Sequence, residues 1–199
     1  MMDYAQTTAA MNAKRERIAA LRGEMRTLQA KVEPEVVQDY LLDGWDGPVR
    51  LSDLFGDQRD LILIHNMGKG CPSCTMWADG FNGVYDHLAS RAAFVVSSPN
   101  PVEVQKAFAA ERGWRFPMVS HAGTSFAADM GYRRIGSDAG GDALGGWWPG
   151  VSVFRHEDQR ILRVSDTELG PGDDLCVVYS LFDLVPGSSL NWEPKYKYG

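Results

Sequence analysis

The chain has 199 residues, of which 44% are apolar and 11% aromatic, enough apolar material to bury one hydrophobic core. Its 20 basic and 26 acidic residues give a net charge of -6 and form no basic block, so we expect no nucleic-acid partner. The first ten residues lack a charged segment followed by an apolar run, and no stretch approaches the roughly 18 apolar residues of a membrane helix. We therefore expect a cytoplasmic protein without a membrane partner.

The first predicted element is an amphipathic helix over residues 11–32. After Ile18 its apolar side chains recur three or four residues apart among charged neighbours. Three heptads are few for a coiled coil, so the pattern leaves open whether the helix packs on its own domain or joins two copies in a homodimer. Pro34 ends the helix in either case. We therefore divide the chain into an N-terminal helix, residues 1–34, and a domain of residues 35–199.

Strands and helices alternate in the rest of the chain. The run at residues 61–64 has four large apolar residues, which is typical of a central parallel strand buried on both faces. Asn100 has the position of a helix N-cap before Pro101, and Gly113 ends that helix. The other predicted elements are strands at residues 48–51, 92–97 and 116–120, a helical turn at 52–56, and helices at 74–88 and 125–130.

A hairpin is the last predicted part of the sheet. Residues 151–155 and 160–164 form two apolar runs on either side of a turn at 156–159. A glycine-rich loop at residues 136–146 precedes the hairpin, and a polar tail begins at Pro186. Alternating strands and helices that finish in a hairpin predict an α/β domain.

A Cys-Pro-Ser-Cys sequence, residues 71–74, stands where the strand at 61–64 gives way to a helix. The start of a helix stabilises an anion through unpaired N–H groups and the macrodipole; Cys71 has that position, with Cys74 on the same helix face. Lowering a thiol pKa from about 8.5 to about 7 takes roughly 2 kcal/mol, which the helix end, a Cys74 S–H donor and the charge of Lys69 can supply. Cys71 is therefore the predicted nucleophile and Cys74 the resolving thiol, and their disulfide exchange needs no cofactor.

The remaining cysteine and the histidines bear on two other roles. Three cysteines are too few for a disulfide framework, and we interpret Cys176, in an apolar segment, as an inert core thiol. A zinc site is the other common role of a C-x-x-C pair, and it needs two further ligands. His87 has no second histidine at the usual spacing, so we expect no metal. The other histidines stand alone in different elements: His65, His121 and His156.

Over nearly its whole length the chain resembles an uncharacterised bacterial family of thioredoxin-like proteins, described as predicted dithiol-disulfide oxidoreductases and distantly similar to peroxiredoxins. The most specific stretch is residues 71–79, where Trp77-Ala78-Asp79 follows Cys-Pro-Ser-Cys. The resemblance implies a thioredoxin-like three-layer α/β sandwich preceded by a helix, with Cys71 and Cys74 as the redox pair. The other matching stretches are residues 39–40, 51–55, 65–67, 113–120 and 149–154.

The thioredoxin pattern implies roles for residues at two further positions. Pro149 falls where thioredoxins carry a cis-proline that presents backbone to an extended substrate, and Trp148, Pro72 and Ser73 complete the predicted substrate-binding residues. His65, six residues before Cys71, falls where thioredoxins bury an acid that moves protons at the second cysteine. A histidine can serve as that catalytic relay, or it can be a hydrogen-bonded histidine at a strand end.

The chain departs from two related patterns. Peroxiredoxins carry a Pro-x-x-x-Thr/Ser-x-x-Cys loop and an arginine. Here the position of the Thr/Ser, three residues before the cysteine, is occupied by Gly68 for Cys71 and by Cys71 for Cys74. Peroxidase activity is therefore not expected. The Cys-Gly-Pro-Cys of general reductants is also absent. We expect a protein or small-molecule disulfide or thiol as substrate. A non-catalytic thioredoxin-fold binding or dimerisation module, and a metal-binding C-x-x-C protein, are the alternatives.

Overall fold

The computed structural model describes residues 2–134, 146–171, 173–187 and 192–198. By its internal contacts the chain divides into two compact units, residues 1–34 and 35–199. The glycine-rich loop predicted at 136–146 lies outside the described residues except for Gly146.

The first unit is one long helix, α1, which spans Tyr4–Gln29. It begins before the predicted residue 11 because of a capping box: the Asp3 side chain accepts a hydrogen bond from the Gln6 backbone N–H at 2.8 Å, and the Gln6 side chain accepts one from the Asp3 N–H. No residue of α1 is buried. Among the described helices, α1 included, none is long and apolar enough to cross a lipid bilayer.

The second unit is built on a mixed sheet of eight strands. The strands are β1 (Glu35–Val37), β2 (Leu41–Gly44), β3 (Gly47–Arg50), β4 (Asp60–His65), β5 (Ala93–Ser98), β6 (Met118–Ser120), β7 (Gly150–Glu157) and β8 (Arg160–Glu168). Their order across the sheet is β1-β8-β7-β4-β5-β6-β2-β3. The predicted strands are confirmed as elements, whereas β1 and β2 had no prediction.

The centre of the sheet is β4, formed by the apolar run that the sequence singled out. It pairs in parallel with β5 and antiparallel with β7, so the prediction of a parallel strand holds on one side only. The predicted hairpin is β7 and β8, with a tighter turn than expected: Asp158 and Gln159 alone form it, with φ angles of 49° and 61°. Two positive φ angles match the twist of the flanking strands.

Helices cover both faces of the sheet. They are α2 (Pro72–Gly83), α3 (Tyr85–Ala89), α4 (Val102–Arg112), α5 (Phe126–Asp129) and α6 (Val177–Phe182), with a 3₁₀ helix at Leu51–Phe55. Successive residues of a strand face opposite sides. Ile64 accordingly packs in one core cluster with Trp77 of α2, while Leu63 packs in the other with Phe126 of α5. Two apolar cores on either side of one sheet make the predicted three-layer α/β sandwich, which is confirmed.

Several helix predictions differ in detail from the structure. The helix expected at 74–88 is two helices, α2 and α3, interrupted at Val84 directly after Gly83, whose low helix propensity favours the break. Asn100 does not cap α4, since Pro101 is the N-cap residue and makes no side-chain capping bond. Gly113 does end α4, in a left-handed conformation with φ 67°. The sequence analysis missed α6.

Candidate active site

The two cysteines meet at the start of α2, one turn apart. Cys71 is the N-cap residue and Pro72 the first residue of the helix, where its missing N–H costs nothing. The Cys71 sulfur accepts a hydrogen bond from the Cys74 backbone N–H at 3.0 Å. An otherwise unpaired N–H at the helix start therefore points at the sulfur of Cys71, as the predicted anion site requires. All three cysteines are free thiols.

Two asparagines hold the loop between β4 and α2. The Asn66 side chain accepts a hydrogen bond from the Gly68 N–H at 2.7 Å and donates one to the Cys74 carbonyl at 3.3 Å. Asn100, expected to cap a helix, accepts a hydrogen bond from the Lys69 N–H at 2.7 Å. Gly68 has φ 95°, and a Cβ there would lie 2.5 Å from Asn100 Oδ1. The loop therefore requires glycine at this position.

The electrostatics differ between the two thiols. Burial raises the pKa of Cys74 well above its usual value, and the hydrogen bond and negative charge of Cys71 raise it further. Cys74 therefore keeps its proton. The Cys71 sulfur thus accepts a hydrogen bond from the Cys74 N–H, beside the protonated thiol of Cys74.

His65 lies on the opposite face of the sheet from α2. Its Nε2 is 2.9 Å from the Ser152 hydroxyl, and its ring stacks on Tyr132 with centroids 3.9 Å apart. Burial lowers the pKa of His65 well below its usual value, and the charges of His121 and Arg163 lower it further. Its described contacts are therefore those of a hydrogen-bonded histidine at a strand end, and they do not include the cysteines. The catalytic relay role of His65 stays a prediction.

Pro149 and Trp148 lie at the start of β7, where Gly150 pairs with His65 of β4. The peptide bonds of the described residues are all trans, the bond before Pro149 included, whereas thioredoxins carry a cis-proline at this place. Two hydrogen bonds hold the backbone here: the Trp148 N–H donates to the Tyr132 carbonyl, and the Leu169 N–H donates to the Pro149 carbonyl. The structure brings Pro72 and Ser73 to the cysteines, and leaves substrate binding by Trp148 and Pro149 a prediction.

Two tyrosines near the cysteines had no signal in the sequence. Tyr179 of α6 is buried in the same core cluster as Trp77 and Ala78 of α2, and its hydroxyl shares a hydrogen bond with Ser73. Tyr196 follows in the C-terminal tail, where burial raises its pKa, and the charges of Cys71 and Cys74 raise it further. Only the fold brings residues so distant in the chain to the cysteine pair.

Within the described ranges there is no cluster of three or more histidine, cysteine or acidic side chains arranged to hold a metal ion. Cys176 is buried in the core cluster that contains Tyr179, in keeping with its interpretation as a core thiol.

Solved peroxiredoxins share the fold of this chain. Peroxidoxin BcpB from Mycobacterium tuberculosis is 29% identical, with a TM-score of 0.52 over 68% of this chain and 84% of its own. A mutant of PrxQ from Xylella fastidiosa is 16% identical, with a TM-score of 0.55 over 68% and 84% of the two chains. The yeast mitochondrial 1-Cys peroxiredoxin is 16% identical, with a TM-score of 0.53 over 82% and 84%. The chain is a thioredoxin-fold protein of peroxiredoxin-like architecture.

Residues 5–192 match the bacterial family of proteins of unknown function called DUF899, and the chain belongs to that family. A comparison with curated proteins found no match. These findings confirm the resemblance stated from the sequence.

Proposed function

We propose that the protein is a dithiol-disulfide oxidoreductase in which Cys71 attacks and Cys74 resolves. The observation that carries this proposal is the hydrogen bond that the Cys71 sulfur accepts from the Cys74 N–H at 3.0 Å, beside a Cys74 thiol whose pKa burial raises. Hydrogen bonds to an ionised acceptor are the stronger kind, so this donor and the raised pKa of Cys74 both favour a thiolate at Cys71 over a thiolate at Cys74.

The reaction has two steps. The Cys71 thiolate attacks one sulfur of a substrate disulfide, the substrate S–S bond breaks, and one substrate thiolate leaves. Cys74 then loses its proton and attacks the Cys71 sulfur, which releases the second substrate thiolate and leaves a Cys71–Cys74 disulfide. Two electrons have passed to the substrate, and an external dithiol must reduce the pair for the next cycle.

Peroxide reduction is the second candidate, and the similarity to a solved peroxidoxin at 29% identity favours it. The Cys71 thiolate would attack a peroxide oxygen, giving a sulfenic acid and an alcohol or water, and Cys74 would condense with the sulfenic acid to release water. Both reactions end in the same Cys71–Cys74 disulfide. The departure from the peroxiredoxin loop at Gly68 favours disulfides as the oxidant.

The test compares oxidants on the reduced full-length protein. We expect hydroxyethyl disulfide to oxidise the cysteine pair faster than hydrogen peroxide or tert-butyl hydroperoxide does, measured by quenched alkylation and mass spectrometry. Cys71→Ser should abolish the reaction, and Cys74→Ser should stop it at a mixed disulfide on Cys71. Cys176→Ser is the matched control, and its cysteine pair should be oxidised at the rate of the unmodified protein. Faster oxidation by peroxide would establish the second candidate, and equal rates in all three variants would refute both.

A further inference from the structure

Both cysteines are more deeply buried than a reactive pair at a helix start requires: each is 3% exposed. Attack on a substrate sulfur needs access to the Cys71 sulfur. One neighbour of the cysteine pair is α6, whose Tyr179 packs in the core cluster of Trp77 and Ala78 of α2. Burial raises the pKa of Tyr179, while its hydrogen bond with Ser73, between the two cysteines, opposes that shift.

A second segment near the cysteine pair is the C-terminal stretch Trp192 to Tyr198, here called the strap. The strap lies against α4, where Arg112 donates a hydrogen bond to the Tyr196 carbonyl at 2.7 Å and Lys197 forms an ion pair with Glu111 at 3.2 Å. The Tyr196 ring meets Phe108 edge to face, with centroids 6.4 Å apart. Burial raises the pKa of Tyr196, and the nearby thiols Cys71 and Cys74 raise it further when they ionise.

The strap and α6 are joined through Trp192, whose ring lies 4.8 Å from that of Phe182 and 5.9 Å from that of Tyr179. Of the strap's contacts with α4 described above, the ion pair is the weakest. Lys197 and Glu111 are both largely exposed, and an exposed ion pair contributes little to stability. A segment held by a few such contacts opens at a small cost in free energy compared with global unfolding.

A groove of about 320 Å³ remains open beside the cysteine loop, lined by Lys69, Val104, Ala107, Phe108 and the carboxylates of Glu103 and Glu111. Phe108 and Glu111 are also the residues that the strap contacts, so the strap forms one border of the groove. A volume of this size is at the lower end for a small-molecule ligand.

We infer that the strap and Tyr179 make the cysteine pair selective by size, admitting small disulfides or thiols from the groove and excluding protein disulfides until the strap is displaced. This inference rests on the proposed disulfide exchange, whose substrate class it narrows. Tyr196 is then a specificity-determining residue, because its ring and its carbonyl tie the strap to α4.

The test measures alkylation of Cys71 by two maleimides that share one chemistry, N-ethylmaleimide and a maleimide on a long polyethylene glycol chain. In the reduced full-length protein we expect the large reagent to alkylate Cys71 much more slowly than it alkylates a cysteine peptide. Tyr196→Ala should raise the large reagent's rate roughly three- to tenfold and the small reagent's rate less than about twofold. Lys195→Ala is the control: it removes an exposed side chain from the same strap, keeps the backbone N–H that donates to Tyr198, and should change neither rate.

Lys197→Glu, which reverses an exposed charge opposite Glu111, is a second variant that leaves the core intact and should act in the same direction. The inference is overturned if Cys71 reacts equally with both reagents in the unmodified protein, or if neither strap variant favours the large reagent. Alkylation requires only a thiol. If labelling is size-selective but the protein does not turn over hydroxyethyl disulfide, the proposed function is refuted and the shielding of Cys71 by the strap stands. Equal turnover of that disulfide and of insulin, with unrestricted labelling, would refute the size selection alone.

Discussion

At the scale of single residues, the cysteine loop depends on side chains that do no chemistry. Asn66 and Asn100 bind loop backbone, and Gly68 makes room for Asn100 with a φ angle that other residues rarely adopt. The glycine is therefore required by geometry: its backbone is left-handed, and the space a Cβ would take is already occupied by the Asn100 amide.

Gly68→Ala should destabilise the protein by about 1–3 kcal/mol, because the new Cβ would lie 2.5 Å from Asn100 Oδ1 at a positive φ. The measurement is urea unfolding, together with the alkylation rate of Cys71, which should rise as the loop loosens. Gly80→Ala is the control within α2: no atom lies within 4 Å of its new Cβ, and alanine should stabilise the helix by up to about 1 kcal/mol. Equal effects of the two substitutions would contradict this account of the loop.

At the scale of elements, two features show how local chemistry sets structure. The capping box at Asp3 extends α1 to an earlier start than its apolar pattern predicts. The hairpin of β7 and β8 closes on Asp158 and Gln159, neither of which is the residue best suited to a positive φ. A homodimer through α1 stays a prediction, which sedimentation of the full-length chain checks.

Gln159→Gly should stabilise the protein by about 0.5–1 kcal/mol, because glycine adopts φ 61° without the steric cost that glutamine has. The expected shift is a higher urea midpoint with an unchanged slope. Arg160→Gly, at the first residue of β8, provides the comparison: the same new residue in a strand should be neutral or destabilising. A lower midpoint for Gln159→Gly would show that the turn is not strained.

At the scale of the whole molecule, the sheet separates two polar regions. The carboxyl end of β4 leads to the cysteine loop on the face of α2, while His65 and His121 are buried with serine partners, Ser152 and Ser97. Burial lowers the pKa of His121 to about 4, with a contribution from Arg133, and lowers that of His65 as well. Both histidines are therefore neutral in the folded protein at pH 7.

The free energy of unfolding should fall as the pH drops from 6.5 toward 4, because the unfolded chain binds protons at these histidines and the folded chain does not. His121 alone should account for about 3 kcal/mol of this loss, since its pKa is about 4 when folded and 6.5 when exposed. The measurement is urea unfolding at several pH values. His121→Gln should flatten the pH dependence. An unchanged slope in His121→Gln would contradict the neutral, buried state.

Much of the fold, and the position of the cysteine pair, could be predicted from the sequence. Local signals in the sequence indicate the apolar run of β4, the hairpin, the end of α4 at Gly113 and the position of Cys71 at a helix start. Their causes are apolar periodicity, turn chemistry and helix termini, which act over a few residues. The candidate nucleophile was therefore predictable, because its environment depends on the helix that follows it directly.

Only the tertiary structure decided the surroundings of that pair. Asn100 reaches Lys69 across 31 residues of sequence, Tyr196 reaches Arg112 across 84, and His65 reaches Ser152 across 87. Such contacts depend on strand order and on which face of the sheet each side chain takes. No pattern of neighbouring residues encodes them, because they form only when distant segments share one core.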